Sequence, residues 1–397
     1  MVKPLLSTFC ACTEWAEAAI KAGADHLILE DSKCSIRSYS HDFNTPDFKN
    51  VSKMAEKARA INPEILLSFN IDILAHQYHI ETIQQLLITL KESNIQTIRL
   101  QDPGLVFLVR TIIPDAVFHL STETGNLNRQ SILFHTAQFQ RQCLSNELPI
   151  KELRDISSSI NTELEIQVHG PILIQYSKRR FMSHYLNNKD TQSSVCIRKK
   201  AVDHEFKNRT FQFYDNPHGH FMFLHVDRCL IRHVPELVEL DLTSLLIDAR
   251  GESIQYLTQT LMSYRNERND YMSNPESYQL KNQVSLDEIS PRPLKAGFFK
   301  INNTDKDWRN LHPTRSIPHE IIGTVIDVVK NNWLTIELNT DLKIGENYTL
   351  LSPERKQRNV QLDCLLDAWG KPIQKGKEHQ LVKIKWVKGI VPQSIIF

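Results

Sequence analysis

No apolar run in this chain is long enough to cross a bilayer, and its first residues lack the basic-then-apolar order of a secretion signal. Both absences set the expectation of a cytoplasmic protein. The seven cysteines are odd in number and irregularly spaced, which argues against a disulfide framework and for reduced thiols. No Cys-x-x-Cys pair is there to seed a tetrahedral zinc site. Serine elbow, His-Glu-x-x-His motif and evident acid pair are all missing, so the usual hydrolase signatures are absent. Cys10 and Cys12 lie near an expected strand end, but no histidine partner for a thiolate nucleophile is identifiable. Residues 3–15 hold no glycine-rich phosphate loop. Excess charge is missing too: 47 basic residues against 46 acidic ones leave a net charge of +1. That excludes strong whole-molecule attraction to nucleic acid or anionic membrane and leaves only local patches.

What is present is a rhythm. Short β-branched runs at 3–9, 26–30, 65–71, 96–101, 117–121, 139–144, 163–169 and 244–248 alternate with amphipathic, helix-length stretches. Such alternation predicts parallel βα units, and eight of them predict an α/β fold of the (β/α)8, TIM-like type over residues 1–265. An open doubly wound sheet is the alternative. Residues 171–225 then read as an insertion after the seventh strand. Residues 266–318, polar and carrying Pro275, Pro291 and Pro293, read as a linker or extended segment. From 319 to 397 the pattern becomes short strands separated by turn residues such as Asn331-Asn332 and Trp369-Gly370-Lys371-Pro372, which predicts a small C-terminal all-β barrel domain.

In a barrel of this type the C-terminal strand ends build the site. The polar residues expected there are Glu30, Asp31, Asn70, Asp72, Asp102, Ser121, Glu123, His169, Asp248 and Arg250. Glu123 and His169 would do acid–base work, with Asp248 and Arg250 beside them as catalytic candidates. Arg250 and the nearby Arg37 would clamp a carboxylate, while Asn70, Asp102 and Ser121 would bind substrate. The alternative is that several of these residues are caps or ion pairs that close the barrel ends. Two basic triplets, Lys178-Arg179-Arg180 and Arg198-Lys199-Lys200, have Phe181 and Tyr185 nearby. Folded together they would contact phosphates, with the aromatic rings stacking on unpaired bases. Otherwise they form a solvated basic surface.

Several blocks carry a resemblance. His169-Gly170-Pro171-Ile172-Leu173 is followed by Tyr176-Ser177-Lys178-Arg179-Arg180, then Cys196, then Asp227-Arg228-Cys229. Around them stand Asp102-Pro103-Gly104-Leu105, His119-Leu120-Ser121, Ser145-Asn146-Glu147-Leu148 and Leu246-Ile247-Asp248-Ala249-Arg250. In order and spacing they resemble the collagenase-like peptidase U32 family, closest to its tRNA and rRNA hydroxylation proteins. The resemblance implies the appended β-barrel and a four-iron four-sulfur cluster held by thiolates. Leu173, Arg180 and Lys200 stand where the family has cysteines, while Cys196 and Cys229 remain as metal-ligand candidates. His169, His184, His204 and Cys34 are the further donors at hand. Glu30, Glu123, Gly125 and Asn146 also depart from the family pattern. The implied function is RNA hydroxylation with RNA as partner, a degenerate iron–sulfur site and a prephenate-like dicarboxylate as ligand. The alternatives are a non-catalytic RNA-binding protein, a partner subunit in a family hetero-oligomer such as those of ubiquinone hydroxylation, and a collagenase-like protease.

Overall fold

Eight of the short runs form the parallel strands of a closed barrel in the computed structural model, which describes residues 3–10, 12–37, 50–122, 125–186, 197–202, 210–281, 283–300, 322–352 and 356–397. The chain divides into two units, Met1–Pro313 and Thr314–Phe397. In the first, strands β1 (Leu5–Cys10), β2 (His26–Glu30), β3 (Leu66–Ile71), β4 (Thr97–Leu100), β5 (Val117–Leu120), β6 (Arg141–Cys143) and β7 (Glu163–Ser177) pair in sequence order. Three further strands, β8 (Ile197–Val202), β9 (Thr210–Asn216) and β10 (Gly219–Cys229), intervene before β11 (Ser244–Ile247). β11 pairs in parallel with both β7 and β1, which closes the ring and excludes the open sheet. Outside lie α1 (Thr13–Ala22), α2 (Val51–Ile61), α3 (Ile80–Glu92), α4 (Leu105–Ile112), α5 (Arg129–His135) and α6 (Ile150–Ser157). After the short α7 (Phe181–Tyr185), the ring of helices is completed by α8 (Val234–Glu239) and α9 (Ile254–Ser273).

The barrel strands alternate with the polar residues turned inward. Ser7 Oγ lies 2.6 Å from Ser244 Oγ and 3.0 Å from His26 Nδ1, and His26 Nε2 lies 2.8 Å from Ser68 Oγ. Across the bore Arg99 pairs with Glu165 at 2.7 Å, and Ser244 donates to the same carboxylate at 2.7 Å. The intervening Leu27, Phe69, Ile98, Phe118 and Ile166 are buried on the opposite face, the one a strand turns toward the helices. Phe9, Ile28 and Leu246 form one small apolar layer among these polar groups.

β7 does not stop at the barrel rim. It runs on to Ser177 and pairs antiparallel with β10, which pairs with β9, which pairs with β8. Gly170 makes this departure feasible. Its φ is +112°, and a Cβ there would sit 2.0 Å from the Asp248 carbonyl oxygen. The expected insertion is thus a sheet built on an extended barrel strand.

The linker expected over 266–318 is, in its described part, folded into the first unit. α9 continues to Ser273, α10 spans Gln283–Ile289, and β12 (Leu294–Lys295) pairs with β10. Several polar residues of α9, Gln255, Gln259, Glu267 and Arg268 among them, are buried rather than solvated. Arg268 donates to the Pro4 carbonyl and to Asp25 at 2.8 Å, and Glu267 accepts from Tyr278 at 2.6 Å.

The second unit is an antiparallel sheet of seven strands in the order β17–β16–β21–β13–β14–β20–β18. These are β13 (Gly323–Val329), β14 (Trp333–Leu338), β16 (Asn347–Leu351), β17 (Gln357–Gln361), β18 (Leu365–Asp367), β20 (Leu381–Lys385) and β21 (Ile395–Ile396), with β15 (Leu342–Lys343) and β19 (Lys375–Gly376) forming a separate pair. Among the described residues β17 and β18 remain edges, so the unit is a half-barrel. Leu334, Ile336 and Leu338 alternate inward on β14 and meet Val382 and Ile384 in its core.

Candidate active site at the barrel mouth

The strand ends meet in two chemically different halves. On the β11–β2 side every charge is answered from within the chain. Arg250 donates to Asp248 through Nε at 3.0 Å and Nη2 at 2.8 Å, and through Nη1 to Glu30 at 3.2 Å. Arg37 Nη1 reaches Asp248 Oδ2 at 2.7 Å. The Arg250 guanidinium also lies over the Phe9 ring, 3.6 Å from its centroid. Burial alone would raise Asp248, but Arg250 and Arg37 outweigh it and hold the carboxyl at about 2. Glu30 goes the other way. Burial, reinforced by Asp72 and Asp248, overcomes Arg250 and pushes it up to about 7. A carboxyl that titrates near neutrality beside an ion pair is a common mark of a functional site.

The sheet outside the barrel roofs this half. Asn216 Nδ2 donates to the Ile36 carbonyl at 2.8 Å, His218 Nε2 lies 2.6 Å from the Ser32 carbonyl, and Arg37 sits 5.3 Å from the Phe223 ring centroid. The expected Arg37–Arg250 clamp is therefore engaged internally, as the ion-pair alternative anticipated.

The β3–β5 side is more accessible and less satisfied. Asn70 Nδ2 donates to Asp72 at 2.9 Å, yet Asn70 Oδ1 finds no hydrogen-bond partner among the described residues. The same holds for Gln101 Oε1, Thr122 Oγ1, Arg99 Nε and His119 Nδ1. Asn70, Arg99 and His119 are register partners on three successive strands, so these groups stand side by side. Buried polar atoms left unmatched are costly unless something else meets them. Gln101, Asp102, Ser121 and Thr122 are all half-exposed here. Ser121 Oγ lies 3.5 Å from Arg99, whereas Asp102 accepts from the Gly104 and Ala75 backbones and holds the turn before α4. Arg99, His119, Gln101 and Thr122 were absent from the sequence-derived set. The signal was there in Thr97-Ile98-Arg99-Leu100, where polar and apolar residues alternate, and in the single polar residue of Val117-Phe118-His119-Leu120.

His169 faces away from the mouth. A bulge skips Val168, so that Leu246 partners Gln167 and Ile247 partners His169. Its Nε2 lies 2.7 Å from Tyr256 Oη on α9, and its ring packs against Tyr264. Burial, with Arg292 adding to it, holds the imidazole at about 3. His169 thus packs between β7 and α9, with its Nδ1 buried and without a hydrogen-bond partner among the described residues. Glu123, its expected partner, lies outside the described residues.

Cys196, like His204, also lies outside the described residues. Cys229 is buried, its sulfur 3.8 Å from the Tyr264 hydroxyl, and burial pushes the thiol up to about 11. Leu173 has no donor atom and Arg180 carries a cation, and among the described residues no three His, Cys, Asp or Glu side chains converge on a metal position. Cys229 is thus the one thiol at these positions among the described residues, where a four-thiolate cluster takes four.

The basic triplets lie at opposite edges of the outer sheet. Tyr176, Phe221, Tyr214 and Arg198 share one register row over four strands, so at about 4.8 Å per strand the two segments are about 14 Å apart. Lys178, Arg179, Lys199 and Lys200 are exposed, and Arg180 is half-buried; the Arg198 side chain is not among those described. None of the described helices is long and apolar enough to cross a membrane.

The family model for Peptidase family U32 matches residues 12–309. Curated relatives include tRNA hydroxylation protein P1 of Bacillus subtilis, 22% identical over 99% of this chain and 94% of that protein. They also include tRNA hydroxylation protein P of Escherichia coli, 22% identical over 100% of this chain and 95% of that protein. A third is the 23S rRNA 5-hydroxycytidine C2501 synthase of Escherichia coli, 20% identical over 63% of this chain and 37% of that protein.

Proposed function

Because the chain belongs to peptidase family U32, we propose that it takes part in hydroxylating tRNA or rRNA, with the β3–β5 half of the barrel mouth as its ligand site. The observation that carries this reading is the match, over nearly the full length of both chains, to relatives named for tRNA hydroxylation. The site is compatible with it. Gln101, Thr122 and Asn70 offer unmatched hydrogen-bonding atoms, and Lys178, Arg179, Lys199 and Lys200 offer exposed cations for phosphates. A prephenate-like dicarboxylate, whose carboxylates only accept hydrogen bonds, would on this half meet the donors Arg99 Nε and the Ser121 and Thr122 hydroxyls, since Arg37 and Arg250 are committed to Asp248 and Glu30. A cytoplasmic location goes with this reading.

Mass spectrometry of nucleosides from total tRNA and rRNA of a deletion strain tests it. A hydroxylated pyrimidine should disappear and return with the wild-type gene, but not with a Gln101→Ala/Ser121→Ala variant. An unchanged nucleoside profile would sink the proposal.

A second reading, a binding paralogue that holds RNA or a family partner without catalysing, draws on Leu173 and Arg180 in the thiolate positions. Iron and acid-labile sulfide, measured on protein purified without oxygen, separate the two. About four irons per chain would place a cluster on ligands outside the described set and favour the enzyme. An iron-free, folded protein would favour the paralogue.

A further inference from the structure

Between β3 and α3 the chain places three rings on the surface at the mouth. The His76 ring stacks on Tyr78 with centroids 5.4 Å apart and planes 16° from parallel, and Tyr78 meets His79 at 4.1 Å. Tyr78 is 70% exposed even with His76 and His79 against it, so part of its ring surface stays open to a ligand. The turn that carries it is pinned rather than loose. His76 N donates to His79 Nδ1 at 2.9 Å, His79 N donates to the His76 carbonyl at 2.9 Å, and Ala75 N reaches Asp102 at 3.4 Å. Holding the rings in advance lowers the ordering cost of any ligand that stacks on them.

The outer sheet brings cations to the same place. His79 lies 6.5 Å from His218, and the His218 carbonyl accepts from Tyr176 Oη at 3.0 Å. Lys178 and Arg179 follow directly on that strand and are exposed. Burial, then Lys178, then His218 and His76 hold His79 at about 4, so at neutral pH it serves as an uncharged ring and Lys178 as the charge. A flat π-surface beside a cation suits an unpaired nucleotide, whose base stacks while its phosphate pairs. A duplex, with its bases already stacked and its edges turned inward, would gain only the charge contact.

We infer that Tyr78, backed by His76 and flanked by Lys178, is a stacking platform for an unpaired nucleotide of single-stranded or loop RNA at the rim of the barrel mouth. This rests on the RNA reading given above and adds the surface by which the RNA is held.

The test uses the full chain and a 17-nucleotide RNA hairpin with a seven-nucleotide loop carrying 2-aminopurine, with a blunt duplex of equal length as the competitor. The wild type should bind the hairpin, quench the loop fluorophore and prefer the hairpin to the duplex. Tyr78→Ala should weaken binding about tenfold and abolish quenching, as expected for loss of one base stack. Tyr78→Phe should retain both, since the ring and not the hydroxyl does the stacking. Lys178→Ala should leave quenching in place and reduce the slope of log K against log salt by about 0.7. If the wild type binds the hairpin but Tyr78→Ala binds and quenches equally, the platform is wrong and the RNA reading survives. Equal affinity for duplex and hairpin also overturns the platform alone. If the wild type binds neither RNA, both fail.

Discussion

Arg250 and Asp248, two residues apart on one strand end, grip each other with two parallel hydrogen bonds of 3.0 and 2.8 Å while both are buried. A bidentate guanidinium–carboxylate pair of this kind is both strong and directional. It leaves Asp248 one further strong partner, Arg37 at 2.7 Å, and gives Arg250 a third contact at Glu30. The cluster therefore fixes the ends of β11 and β2 and the loop carrying Arg37 to one another.

Removing the guanidinium should leave buried carboxylates uncompensated. Arg250→Ala is expected to destabilise the first unit by about 3–5 kcal/mol, the usual result of breaking one side of a buried pair. Urea unfolding should show a lower midpoint with an unchanged m-value. Arg250→Lys should recover only part of the loss, because an ammonium cannot make the two-pronged contact. A variant of wild-type stability would mean that the cluster is not structural.

Acid should unfold this protein partly through its buried histidines. Burial holds His26 and His169 at about 3, below the usual histidine range. As pH falls, the unfolded chain takes up these protons first. The contribution is complete above about 6.5 and is lost as pH drops toward 3, at up to about 1.4 kcal/mol per pH unit for each histidine. In His169→Gln the slope of stability against pH between 6 and 5 should be shallower by about that amount. An unaltered slope would mean that His169 titrates normally.

Glu30 should pull in the opposite direction. Its folded value of about 7 lies above the ordinary carboxylate range, mainly because it is buried. The folded state holds this proton after the unfolded state has released it, so stability declines as pH rises from about 4.5 to 7. The stability of Glu30→Gln relative to wild type should therefore climb across that window, whatever the fixed cost of the lost Arg250 contact. A flat difference from pH 5 to 7 would refute the raised value.

Two glycines with similar backbone angles should respond very differently to alanine. Gly170 (φ +112°) would place its new Cβ 2.0 Å from the Asp248 carbonyl, whereas Gly125 (φ +114°) has nothing within 4 Å among the described residues. Gly125→Ala carries only the conformational penalty, of order 1 kcal/mol. Gly170→Ala must in addition push β7 off β11, and should lower the thermal midpoint far more. Equal midpoints would show that the two strands have room to separate.

The ring of strands was legible because short β-branched runs alternate with helix-length amphipathic stretches, and that rhythm survives in the sequence. The strand set 26–30, 163–169 and 244–248 agrees with the structure to within a residue at each of the barrel's own strand ends, apart from the continuation of β7. The face of His169 was not legible. One skipped residue at Val168 reverses the side on which everything after it points, and no local pattern announces such a bulge. The engagement of Arg37 was equally hidden, since its partner Asp248 lies 211 residues away. The end of α9, from residue 266 on, read as linker because the stretch is polar and leads into Pro275, and Glu267 and Arg268 look like solvent-facing residues. Their burial depends on Tyr278 and Asp25, which only the tertiary fold brings to them.

The inward row of the barrel bears on how such a protein can diverge. Glu30, Asn70, Arg99, His119, Arg141 and Glu163 follow one another in register across six strands. Apart from the small layer of Phe9, Ile28 and Leu246, the apolar cohesion lies on the other face, against the helices, so this row is chemically separable from most of what keeps the strands assembled. Buried ionic groups can often be exchanged for others of similar volume at little net cost, provided that no charge is left without its counterpart. The lining can therefore be rewritten in matched pairs while the scaffold persists. That separation offers one physical route by which a barrel of this kind can change its chemistry and keep its scaffold.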